Sequence, residues 1–102
     1  MSGGHFDYNQ YRIDEMAEEL QRLIDENDST ELNEYGEELG RHYPPEIIQR
    51  FKAGVYMLKT AAIYAQRIDW LVSGDDGEPE FMKRLNEELT ALDAPKEQNR
   101  ER

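Results

Sequence analysis

Tyr43-Pro44-Pro45 opens a run from Glu46 to Val72 in which Gly54 is the only helix breaker. No other feature constrains the fold so strongly. Proline disfavours helix in the residue before it, so no helix continues through Tyr43. A proline at a first helical position costs nothing, because the N–H it lacks would be unpaired there. The run therefore predicts one helix of about 40 Å at 1.5 Å per residue. Its main apolar stripe is Ile47, Ile48, Phe51, Val55, Leu58, Ala61, Ala62, Ala65, Ile68 and Val72. A second runs beside it through Tyr56, Thr60, Ile63, Tyr64, Arg67, Trp70 and Leu71. A helix apolar over most of its circumference is normally enclosed by others, so this one is expected to be a central strut.

Three shorter helices are expected around it. Ile13, Met16, Ala17, Leu20, Leu23 and Ile24 follow the 3-4-3 spacing of one apolar stripe, with acids on the opposite face. That helix should begin near Asp7 to Asn9, either of which can cap it, and end near Asn27. Asp28-Ser29-Thr30 restarts a second, with Leu32, Tyr35 and Leu39 on its apolar side and Gly40 at its end. After Ser73-Gly74-Asp75-Asp76-Gly77, the residues Phe81, Met82, Leu85, Leu89 and Leu92 mark the last, starting near Asp76 to Glu80. No alternating apolar pattern argues for a strand. The reading is an all-α small helical bundle of about four helices in a single domain, 1–93. The charged residues 94–102 are expected to be a disordered tail.

Cysteine is absent, so disulfides and thiolate metal sites are excluded. No apolar run approaches the roughly 20 residues of a membrane span. MSGGHFDY lacks the basic start and apolar run of a signal peptide. A cytoplasmic protein is expected, in the host cytoplasm if a phage encodes it. The net charge of −11 is unevenly placed: residues 1–46 hold 13 Asp and Glu against three Arg, hence −10 of the total. Such a field repels nucleic acid and anionic membrane and favours cationic partners.

The stretch YAQRIDWLVSGDDGE, residues 64–78, sets costly side chains at a helix end. One reading is structural: Trp70 plugs the end of the core, Arg67 pairs with Asp69 or with an acid on the last helix, and Asp75-Asp76 caps that last helix. The other is functional. Tyr64, Arg67 and Trp70 are residue types enriched at binding hot spots, and an arginine among aromatic rings can clamp a phosphate or stack on a base. Asp75, Asp76, Glu78 and Glu80 raise a metal reading, but an EF-hand frame begun at Asp69 puts Leu71 and Ser73 where oxygen ligands are required. No metal or cofactor is expected. His5, Phe6 and Tyr8 lie together after two glycines, where they either tack the terminus to the bundle or line a site. No phosphate loop or nucleophile motif supports catalysis, so an enzyme is not expected.

MSGGHFDY, YPPEIIQRFK and YAQRIDWLVSGDDGE followed by FMKRLNEEL resemble a family of short proteins of phages, prophages and bacterial chromosomes. Its members open with Ser-Gly-Gly-His-Phe-x-Tyr and share Tyr-Ala-x-Arg-Ile-Asp-Trp-Leu-x-Ser-Gly-Asp-Asp. The resemblance spans roughly residues 1–92. It implies a phage-linked setting and pairs His5, Phe6 and Tyr8 with Arg67, Asp69, Trp70, Asp75 and Asp76; it implies no mechanism.

The reading favoured is a non-enzymatic binding protein with a protein partner, such as an inhibitor of a host defence or nucleic-acid-handling protein. Its acidic helical surface, Glu15, Glu18, Glu19 and Glu38, would occupy a groove meant for phosphates. Direct nucleic-acid and membrane binding are not expected. The alternatives are a protein that sequesters a small anionic ligand, a nucleotide signal, through the aromatic and arginine patch, and a structural homo-oligomer associating through the second stripe.

Overall fold

The computed structural model describes Phe6 and residues 8–93. Within them run three helices: α1 (Gln10–Asp25), α2 (Pro45–Val72) and α3 (Glu78–Asp93). Among the described residues the protein is all-helical, and its only β pairing is an isolated antiparallel bridge between Leu32 and Glu38. Asp7, one of the expected caps, His5 and the charged tail lie outside the described residues.

The helix expected between Thr30 and Leu39 does not form. Asn33 is the reason: its side-chain Oδ1 accepts from the backbone N–H of Tyr35 at 2.8 Å and of Glu37 at 3.0 Å. Those bonds offer the backbone an alternative to helix, and Gly36 completes the turn at φ 80°. Leu32 and Tyr35 are 63% and 78% exposed, so the apparent apolar side has nothing to pack on. The segment closes instead through Leu39 N–H to Glu31 O (2.8 Å), Gly40 N–H to Ser29 O (3.2 Å) and His42 N–H to Asn27 O (2.9 Å). Asn27 holds the far end: its Oδ1 accepts from Tyr43 N–H at 2.9 Å, and its Nδ2 donates to Tyr43 O at 3.0 Å.

Both ends of α2 follow from local sequence. Pro44 is extended at the N-cap, Pro45 is the first helical residue, and Tyr43 packs edge-on against Phe51 at 5.4 Å. At the other end Gly74 takes φ 88° and donates to Leu71 O at 3.1 Å, while Asp75 N–H donates to Trp70 O at 2.8 Å. This pair of bonds is a Schellman cap, which needs the left-handed residue that glycine supplies. The chain then turns back over α2 before α3 begins.

Among the described residues α1 and α3 each pack on α2, and their backbones do not approach each other within 8 Å. Gly54 marks the closest approach of α1, because a Cβ there would sit 3.1 Å from Leu20 Cδ2. The interior is unusual in composition. Among the described residues Ala17 and Leu85 are the buried apolar ones, against Gln10, Asn27, Arg67, Asp69 and Asp76 among polar ones. Most other apolar side chains are half-buried. The radius of gyration is 17.4 Å, well above the about 13 Å of a compact chain of this length. Thus α2 is flanked on two sides rather than enclosed, and Met57, Tyr64 and Val72 stand 64%, 41% and 53% exposed.

Candidate functional site

Arg67 and Asp69 are two residues apart on α2, so they point to nearly opposite sides of the helix. They do not pair with each other. Arg67 faces α3: Nη1 lies 3.4 Å from Asp76 Oδ2, Nε lies 3.6 Å from Glu88 Oε1, and the guanidinium sits 4.4 Å over the Trp70 ring. Asp76 reaches it because the glycine cap reverses the chain, and Arg84 at 3.7 Å from Asp76 Oδ1 closes the cluster. The side chains of both Arg67 and Asp76 are only 5% exposed. A guanidinium so held has little surface open to an external phosphate, although its buried Nε makes no hydrogen bond.

Asp69 faces the other way and is wholly buried. Its Oδ1 accepts from the backbone N–H of Phe6 at 3.0 Å, and its Oδ2 accepts from Gln10 Nε2 at 3.3 Å. The same Gln10 nitrogen donates to Gln66 Oε1 at 2.9 Å, and Gln10 Oε1 is buried without a hydrogen bond. Asp69 thus ties the N-terminal segment and the first turn of α1 to α2, while Arg67 ties α3 to it. The two charged residues of the RIDW stretch fasten a different helix each.

The other candidates divide. Trp70 is half-buried under Arg67, and Tyr64 is exposed on the open side of α2. Tyr8, at φ 63°, stacks on Tyr11 with ring centroids 6.1 Å apart. Asp75 is exposed, unlike its neighbour Asp76. His5 lies outside the described residues. The structure therefore joins Phe6 to Asp69, and Arg67 to Trp70 and Asp76, but leaves Tyr64 and Asp75 apart from both clusters.

The acidic candidates behave differently. Glu15, Glu18 and Glu19 share the outer face of α1 with Asp25 around a shallow depression, and Asp14 borders the cleft between α1 and α3. Glu19 and Glu26 both pair with Arg22, the latter at 2.9 Å. Glu38 is on the loop rather than on α1. It bonds His42 at 2.6 Å and borders a cavity of about 310 Å³ that it shares with Arg22 and Glu26.

Between α1 and α3, with α2 as its floor, runs a cleft of about 370 Å³ lined chiefly by Tyr11, Ala62, Ile63, Ala91 and Leu92. Its polar rim is Gln10, Asp14, Lys59, Gln66 and Glu88. Lys59 Nζ donates to Glu18 Oε2 at 2.5 Å and to Asp14 Oδ1 at 3.1 Å. The Glu18 bond, helped by Asp14, holds the ammonium above the usual lysine range and outweighs the opposing effect of burial. On the α3 side Tyr56 donates to Asp93 at 2.5 Å, which raises the phenol above its ordinary value.

Gln10, Gln66, Asn27 and Lys59 carry these contacts without having stood out as sequence signals. Gln10 and Asn27 sit at the ends of an amphipathic helix, where polar residues are ordinary. Lys59 had one available signal, since it interrupts an otherwise uncharged run of α2 from Ala53 to Gln66.

No helix among the described residues is long and apolar enough to cross a membrane. No protein-family model, curated protein or solved structure matches the chain.

Proposed function

We propose that this chain is a non-enzymatic binding protein that presents the outer face of α1 to a basic groove on a protein partner. In the phage-linked setting that the resemblance implies, such a partner is a host protein that defends the cell or handles nucleic acid. One observation carries the reading. Glu15, Glu18, Glu19 and Asp25 lie on a common side of α1, with Asp14 at its edge toward α2, all within about 16 Å of its axis. Less Arg22 and Lys59, which pairs with Asp14 and Glu18, the strip holds one net charge per about 5–6 Å, sparser than the about 3.4 Å per charge of a single DNA strand. A rigid helix presents these charges without the ordering cost a flexible acidic tail would carry.

The sequestering alternative loses its main residue, because Arg67 is buried and already engaged. The cleft between α1 and α3 could seat a small molecule, yet its rim holds Asp14 and Glu88, and its one cation is taken by Asp14 and Glu18. That lining disfavours an anionic nucleotide.

The test is capture from host lysate on the immobilised protein, followed by elution with duplex DNA. A partner held through its nucleic-acid groove elutes with DNA and with raised salt. The variant Glu15→Gln/Glu19→Gln/Asp25→Asn leaves the Lys59 tie intact and should capture it at least tenfold less. Equal capture by the variant discards the acidic-face reading.

A further inference from the structure

The side of α2 turned away from both α1 and α3 carries a second, independent feature. Arg50, Ala53, Met57, Ala61, Tyr64, Ile68 and Val72 follow at spacings of 3, 4, 4, 3, 4 and 4. Two 11-residue repeats of this kind give about 3.67 residues per turn, so the stripe runs nearly straight along the helix. It extends about 33 Å. All but Ile68 are exposed, and Ile68 is half-buried. No charge falls on it after Arg50, although the chain carries −11.

The geometry points to a second copy of this chain as the occupant of that stripe, its α2 lying antiparallel across the first. A two-fold axis at Ala61, midway between Arg50 and Val72, sets Ala61 on Ala61 and allows close approach. Met57 then lies against Tyr64, and the small Ala53 meets the larger Ile68. Arg50 of each copy falls beside the last turn of the other α2, where the negative end of the helix dipole favours a cation. Glu46, one turn earlier, lies beyond the end of the facing helix. A parallel pairing would instead set Arg50 on Arg50.

Charge supports the same occupant. α1 and α3 each hold five acids and two bases, whereas α2 holds four bases and two acids. The open side of α2 is therefore the surface on which two such acidic chains repel least. The inference is independent of the acidic-face reading, though a dimer would present two acidic faces.

The test is sedimentation of the full chain from about 1 to about 200 µM, which brackets micromolar dissociation constants. A mass twice the 12.0 kDa of one chain is expected. Ala61→Glu sets two like charges on the axis and should weaken association about 100-fold, with helical circular dichroism unchanged. Tyr64→Lys, at a 41% exposed position, should do the same if the first variant folds poorly. Spin labels on Arg50→Cys, clean in a chain without cysteine, should lie more than about 30 Å apart. Monomer throughout the range, association untouched by both variants, or labels within about 15 Å would overturn the pairing.

Discussion

Replacing Asp69 by alanine should be among the most damaging single changes in the chain. Its carboxylate is wholly buried and accepts two hydrogen bonds, one from Phe6 N–H at 3.0 Å and one from Gln10 Nε2 at 3.3 Å. Bonds to charged groups contribute about 1.5–3 kcal/mol each. The Gln10 bond belongs at the low end, because it is long and its nitrogen keeps Gln66 as a partner. The two together give a loss of about 3–4 kcal/mol, a large part of the about 5–15 kcal/mol of a typical domain. For a chain of this length that lowers the melting temperature by roughly 15–25 °C. Urea unfolding at fixed protein concentration reads the loss, and a double-mutant cycle with Gln10→Ala isolates the side-chain bond. A loss under about 1 kcal/mol, or strict additivity with Gln10→Ala, would refute Asp69 as the fastening of α1.

Two further outcomes rest on the geometry. A Cβ at Gly40 would lie 2.6 Å from the backbone oxygens of Asn27 and Ser29, whereas at Gly36 it would meet open space at φ 80°. Gly40→Ala should thus cost about 2–3 kcal/mol by overpacking and Gly36→Ala only about 1 kcal/mol by backbone strain, an order that urea midpoints will check. Lys59 and Tyr56 are both raised above their ordinary values of 10.5 and 10.0. The fold therefore favours both protonated forms, and their contribution is complete below those values and lost as pH rises through the raised ones. The unfolding midpoint should hold from neutral pH to about pH 10 and then fall, with a smaller fall in Lys59→Met; a midpoint flat to about pH 11.5 would contradict both ties.

The sequence was legible where periodicity and breakers agreed. Pro44-Pro45, Gly74 and Pro79 bound α2 and α3, and the stripe of Ile13 to Ile24 marks α1 to within a few residues of its ends. It misled where a polar side chain competed for the backbone: the spacing of Leu32, Tyr35 and Leu39 suggested a helix that Asn33 replaces with a turn. The RIDW stretch showed its residue types but not their directions. Which side of α2 each charge faces depends on where α1 and α3 settle, so the pairing of Arg67 with Asp76 rather than Asp69 needed the tertiary fold. The open side of α2 was hidden for the same reason, since apolar residues on most of a helix read as buried whether or not a neighbour arrives.

The central claim is that Arg67 and Asp69 hold the bundle together while the acidic face of α1 does the binding. The direct measurement is DNA-eluted capture compared between two folded variants. In Arg67→Met/Asp76→Asn the buried pair is replaced by groups of similar size; in Glu15→Gln/Glu19→Gln/Asp25→Asn the strip is neutralised. The first should bind as the unaltered protein does, at lower stability, and the second should lose at least tenfold. Loss of capture in the first with retention in the second would instead put the binding site at Arg67.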